Sequence, residues 1–419
     1  MSERAYRQRL EADIARWQAD GVIPATAADA IRGTLKPVPD GVTIATVVAI
    51  VGGLLIAAAF LAFIAANWTG IARPARFAIL LAGIAGAYGI GAWFDRSKRP
   101  YLADLAAGVG SIVFGAAIAL TGQMYHLGED FAGGMLLFAA GALAAAVLTS
   151  SRGALAVALI AACIWSWMRV FELTDVHLPF VGFWFIAALL VVAWNAPVAR
   201  HLVALAAIVW LIQSEFGLDR SHYAEPVFVV TAGFSLLLGA GLALASRGSQ
   251  SLRAFGLVLS HYGAIALALT LATLIAVATG SPRFNLPASV LAIGVAAVVL
   301  PFIAALLGRR AGPALAGLSI GFALLVASGR LRASGVDEPW LLYAVALTSM
   351  LCLVISGMLD DVRPRVVAGW IGLACVIAAI TWAVRGSLLE RAAFLAAAGV
   401  VAVVLASLLG RLLRQERPQ

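Results

Sequence analysis

Between Ile44 and Arg411 the chain passes through about fourteen apolar stretches of roughly 17–25 residues, each closed by a few Arg, Asp, Pro or Gly. A helix needs about 20 such residues to cross a hydrocarbon core about 30 Å thick. Inside lipid every backbone N–H and C=O must be bonded within its own segment or a closed sheet, so only helices and barrels span. The ten-residue alternation of a barrel strand is absent, and the runs are rich in Ala, Leu and Gly. Hydrophobic residues make up 63% of the 419 positions and charged residues 12%, with a mean hydropathy of +0.99. No soluble core of this size hides that much apolar surface, so the composition excludes a water-soluble globular enzyme. The expected fold is all-α, a polytopic integral membrane helix bundle of about 14 transmembrane helices.

The windows fall at 44–66, 75–94, 104–123, 131–149, 153–170, 179–195, 198–213, 226–245, 254–278, 286–307, 312–329, 339–358, 365–384 and 390–411. The sixth and seventh are short and joined by Ala196-Pro197, so they read either as two crossings or as a re-entrant hairpin. With an even count both termini lie on one side. Twenty of the 29 Lys and Arg then fall on that side and nine on the other, while the 21 acids divide 11 to 10. The positive-inside rule makes the basic side cytoplasmic, giving an N-in/C-in protein. Trp68, Trp93, Trp167, Trp194, Trp340 and Trp382 sit near span ends, where amphipathic rings favour the interface. Topology accounts for the formal charge of +8, and no nucleic-acid partner is implied.

Residues 1–43 read as a cytoplasmic amphipathic helical hairpin. Leu10, Ile14 and Trp17 recur at helical spacing, Gly21 ends the first helix, and Pro24 opens a second with Ala27, Ala30, Ile31 and Leu35 on one face. The first apolar run is too long for a signal-peptide core, so it is read as a retained span. Cys163, Cys352 and Cys375 all lie in apolar runs and lack metal-ligand spacing.

Three sequence features coincide in the first third of the chain. They are Trp17-x3-Gly21-Val22-Ile23, the span ending Ala65-Ala66-Asn67-Trp68, and Thr121-Gly122-Gln123-Met124-Tyr125-His126-Leu127-Gly128-Glu129-Asp130. Together they resemble the bacterial predicted membrane proteins of the domain of unknown function 2157 family, over roughly residues 8–150. The resemblance implies a bacterial inner-membrane setting and carries no activity with it. It divides the chain into the hairpin 1–43, a family-like transmembrane region 44–150 of four spans, and a further transmembrane region 151–419 of about ten.

Spans one and three run in the same direction, so Asn67, Trp68, Gln123, Tyr125 and His126 are expected on one outer face. Arg73 and Arg76 follow in the first outer loop and Glu129 and Asp130 in the second. These nine residues form the densest polar cluster and are the candidate ligand site. Each also has a structural reading. Asn67 and Trp68 suit a helix end at an interface, the arginines suit snorkelling or pairing with the acids, and Glu129 and Asp130 suit a helix N-terminus. Gln123, Tyr125 and His126 need partners wherever they are buried. Metal binding by Met124, His126, Glu129 and Asp130 is disfavoured by the mixed ligand types and the lack of a second histidine. His261 is the one ionisable group well inside a span, and reads either as a functional group or as a neutral histidine bonded to a neighbouring helix. Asp104 reads as a helix cap. Gly108, Gly110, Gly115 and Gly122 point to close helix packing.

The leading functional expectation is a transporter or channel-like protein for a neutral or amphipathic solute, since spans without midplane Asp, Glu or Lys do not suit ion coupling. The alternative is a structural or sensory envelope protein that binds a lipid, peptide or protein partner. An enzyme is disfavoured, because no nucleophile–base pair or zinc motif lies within the spans. No cofactor or metal is expected. The partners in view are membrane lipids, a small solute or envelope component, and a cytoplasmic partner of residues 1–43.

Overall fold

Every apolar window that falls among the described residues is a helix. The computed structural model describes residues 3–34, 44–66, 70–125, 130–173, 175–221, 226–277, 288–329, 331 and 340–383. The expected span 390–411 and Leu35 lie outside them. The helices are α1 (Glu3–Ala19), α2 (Ala25–Thr34), α3 (Ile44–Ala66), α4 (Arg73–Arg96), α5 (Pro100–Tyr125), α6 (Phe131–Thr149), α7 (Arg152–Leu173) and α8 (Pro179–Ala193). They continue with α9 (Pro197–Ser221), α10 (Pro226–Arg247), α11 (Gln250–Val277), α12 (Ala288–Gly308), α13 (Ala311–Ala327), α14 (Trp340–Leu359) and α15 (Arg363–Ala383). Among the described residues ten helices are long and apolar enough to cross a membrane. Shorter apolar stretches occupy Val51–Ile64, Pro179–Ala193 and Ala311–Ala327.

Residues Met1–Phe60 and Leu61–Gln419 form two compact units. In the first, α1 and α2 make the expected hairpin. Gly21 takes a φ of +70°, and the Val22 and Ile23 N–H groups bond back to Trp17 O. Arg32 ties the pair by donating to Gln18 Oε1 of α1 at 3.2 Å, with Glu11 at 3.9 Å, and within α2 it bonds Asp29 at 3.0 Å. The buried face of α1 holds Ile14, as its spacing predicts. That of α2 centres on Ala28, with Ala30 exposed, so the expected face is rotated by part of a turn.

In the second unit the helices run as antiparallel hairpins whose tight turns share one face. Five of these turns carry a non-glycine residue in the left-handed region: Lys98, Ser150, Asn195, Arg309 and Asp361. Each closes with the same bond, from an N–H to the carbonyl five residues earlier: Arg99 to Phe94, Ser151 to Ala146, Ala196 to Val191, Arg310 to Ala305 and Val362 to Gly357. That Schellman-type closure satisfies orphan carbonyls of one helix and starts the next within two or three residues. Bonds between turns hold the tight-turn face together, such as Ser251 Oγ to Val192 O at 2.6 Å. The opposite, long-loop face carries the longer connections.

Two packing centres lie side by side. One gathers Ala and Leu residues of α5–α9 with Phe255 and Leu259 of α11, and the other gathers α10–α15. α11 belongs to both. It packs on α10 backbone to backbone, since a side chain on Gly256 or Gly263 would strike Gly241 O or Leu238 N. The region 179–213 departs from its expected limits. α8 has 15 residues, about 22 Å, but α9 has 25 and runs on to Ser221, about 37 Å. The two helices are unequal because Ser214, Glu215 and the residues to Ser221 continue α9 beyond the apolar window 198–213.

Candidate functional site

α5 organises the candidate site. Its first half is locked by small residues: Gly108 lies against Gly153 of α7, and a Cβ on Gly110 would meet the Tyr88 ring of α4 at 3.1 Å. Tyr88 Oη and Ser111 Oγ are hydrogen-bonded at 3.1 Å. Asp104 is a cap, as expected, but of another helix. Its Oδ1 accepts the Arg152 N–H of α7 at 2.9 Å, and its backbone oxygen accepts from Ser151 Oγ at 3.4 Å. Further along, α5 and α6 interlock, with Phe138 filling the space over Gly115 and Phe114 the space over Gly141.

Past Gly115 the packing opens. Among the described residues, and apart from the helix's own backbone, no atom lies within 4 Å of a Cβ placed on Gly122, and only an Ile118 methyl, at 3.9 Å, approaches one on Gly134. The result is a groove of about 1100 Å³ between α4, α5 and α6, touched by Met168 of α7. Its walls are Phe77, Leu81, Ile84, Phe114, Ile118 and Leu137, and its polar lining comes from Thr121, Gln123 and Asp130. All of these residues lie in the long-loop halves of their helices. The volume lies just above the roughly 300–1,000 Å³ of sites that hold drug-sized molecules. Such a space accepts an apolar chain along its length and a hydrogen-bonding group at its mouth.

The structure thus brings together two of the nine expected site residues, Gln123 and Asp130, at one groove. Gln123 and Tyr125 are exposed at the end of α5. Asp130 caps α6, its Oδ1 accepting the Gly133 N–H at 2.7 Å. Arg73 is exposed at the start of α4, and half-buried Arg76 donates from Nε to Ile71 O at 2.7 Å. The cation on Asp130 is Arg169 of α7, at 3.4 Å, which also holds Glu172 at 2.6 Å. Asn67, Trp68, His126 and Glu129 lie outside the described residues.

Two further residues were not singled out by sequence reasoning. Arg169 falls at the end of an apolar run and is unremarkable until α6 and α7 are paired. His177 sits in the connection after α7 and is 4% exposed. Its ring meets Trp165 edge-on at 4.4 Å, its carbonyl accepts the Trp210 Nε1–H at 3.1 Å, and its Nδ1 has no partner among the described residues. Burial, with a smaller push from Arg169, lowers its pKa below the usual histidine value. Its apolar flanks, Val176 and Leu178-Pro179, were the available signal. His261 lies apart from this site, in α11. Its Nε2 is buried with no hydrogen-bond partner among the described residues.

Apolar helices of spanning length joined by tight hairpin turns define a polytopic helical membrane protein. Within it, residues 15–155 match the family described as "Predicted membrane protein (DUF2157)". That segment holds every groove residue named above except Met168. No curated protein and no solved structure matches the chain.

Proposed function

We propose that this membrane protein binds an amphipathic molecule in the groove between α4, α5 and α6, with an apolar tail along Phe77, Phe114 and Ile118 and a polar group at Gln123 and Asp130. The observation that carries this reading is the groove's gradient, from apolar walls to a polar mouth, with Gly122 left open beside it. Gln123 is the principal recognition residue, because Asp130 already spends one oxygen on its cap and on Arg169. With the positive-inside orientation the mouth faces outward from the inner membrane of a bacterial cell, and both chain ends are cytoplasmic. Holding a molecule suits this geometry better than carrying one across, since the lining residues stop at the long-loop halves of their helices. The lipid-binding envelope protein is therefore preferred to the transporter.

Purification in a mild detergent, followed by mass spectrometry of the retained lipids, tests the reading. The wild type is expected to retain a defined amphipathic species that Gly122→Leu loses and Gln123→Ala weakens. An identical lipid complement in all three would remove the groove as a site.

A further inference from the structure

Among the described residues two arginines are buried at the tight-turn face, and a carboxylate among those residues answers the charge of one of them. Arg365, the third residue of α15, pairs with Asp360 at 2.6 Å and donates to Ser356 Oγ at 2.9 Å. Arg200, the fourth residue of α9, is 9% exposed and meets no carboxylate among the described residues. Its one acceptor there is Asn195 Oδ1, reached by Nη2, while its Nε–H is buried without an acceptor. A buried guanidinium in that condition lacks a counter-charge, and one of its N–H groups lacks a hydrogen bond.

Its direction is informative. The bond to Asn195 turns the guanidinium back past the first turn of α9, toward the helix's N-terminal mouth. Ala196 stands at the cap position and offers no side-chain oxygen, and Pro197 has no N–H. The first helical bond runs from Arg200 N to Ala196 O at 3.3 Å. The Val198 and Ala199 N–H groups therefore have no acceptor within the helix. A permanent cation with one unpaired N–H and two amides without acceptors in the helix thus follow one another in the first turn of a 25-residue helix, at its positive end. Asn195, Pro197 and Val198 are exposed at the tight-turn side.

We propose that this mouth binds a phosphate-class anion. A tetrahedral oxyanion accepts the Arg200 Nε–H and the helix amides at once, and its charge balances the guanidinium. The site is independent of the groove, which lies at the other ends of the helices. Its ligand is either the headgroup phosphate of a lipid or free inorganic phosphate.

Full-length protein in a phosphate-free detergent is followed by thermal unfolding in two titrations, one with inorganic phosphate against chloride, the other with phosphatidylglycerol dissolved in the same detergent. Saturable stabilisation is expected in at least one. Saturation by phosphate alone identifies a free anion, and saturation by the lipid alone a headgroup. Arg200→Gln should shift the midpoint about tenfold or more to weaker binding, and Arg200→Lys should retain part of the effect. Arg253→Gln, at an exposed arginine near the same face, should leave the midpoint unchanged. The proposal is overturned if neither ligand saturates on the wild type, a result that needs no variant to fold. It is equally overturned if Arg200→Gln, or Arg200→Lys should the former not fold, binds as the wild type does or if Arg253→Gln weakens binding as much.

Discussion

Asp130 reaches forward to close the helix it precedes, its carboxylate taking the Gly133 N–H at 2.7 Å. The fold of that carboxylate occupies the space a side chain on Gly133 would need, so the two residues depend on each other. Arg169 approaches the same oxygen from α7. Asp130→Ala should cost about 1 kcal/mol through the lost cap. Asp130→Asn should cost less, because asparagine caps as well and the exposed ion pair contributes under about 1 kcal/mol. Gly133→Ala should cost no more than Asp130→Ala, because the carboxylate can swing aside at the expense of the cap and alanine is the better helix former. Denaturant titrations in a fixed detergent check the order.

At the other face, Asp360 and Arg365 form an ion pair whose side chains are 6% and 2% exposed. Asp360→Ala leaves the guanidinium buried and uncompensated, with an expected loss of about 3–5 kcal/mol. Replacing both together, by Ala and Met, should recover most of that loss. A double substitution as damaging as the single one would show that the pair contributes through more than mutual neutralisation.

His177 gives the protein a pH dependence on its long-loop side. Its folded pKa is lowered, so the folded state favours the neutral ring. The stability this contributes is complete above the ordinary value of 6.5 and is lost as pH falls below it toward the depressed folded value. Thermal stability should therefore fall from pH 7 to pH 5, and His177→Gln should flatten that slope. An unchanged slope in the variant would assign the dependence to other groups.

The existence of the helices was legible, because a span's length and polarity are local properties. From Ile44 to Ala66, or from Phe131 to Thr149, the apolar window and the helix coincide. What a polar residue pairs with was not legible, because that depends on which helices become neighbours. Asp104 caps α7 rather than its own helix, and Arg169, not Arg73 or Arg76, meets Asp130. The left-handed turn residues were hidden for another reason. Lys98, Ser150, Asn195, Arg309 and Asp361 stand where glycine is the usual signal, and their neighbours hold them there through repeated closing bonds. The groove was half visible: Gln123 and Asp130 marked its mouth, whereas its body comes from the unfilled space beside Gly122 and Gly134.

Labelling of the protein in its native membrane by a photoreactive, diazirine-bearing lipid, with the adducts mapped by peptide, tests the groove most directly. The account predicts adducts concentrated in Phe114–Gln123 and Phe131–Leu137, and their loss in Gly122→Trp at unchanged expression. Leu148, Leu306 and Trp382 are exposed apolar residues away from the groove and serve as the background. Labelling spread evenly over those positions, and indifferent to Gly122→Trp, would contradict it.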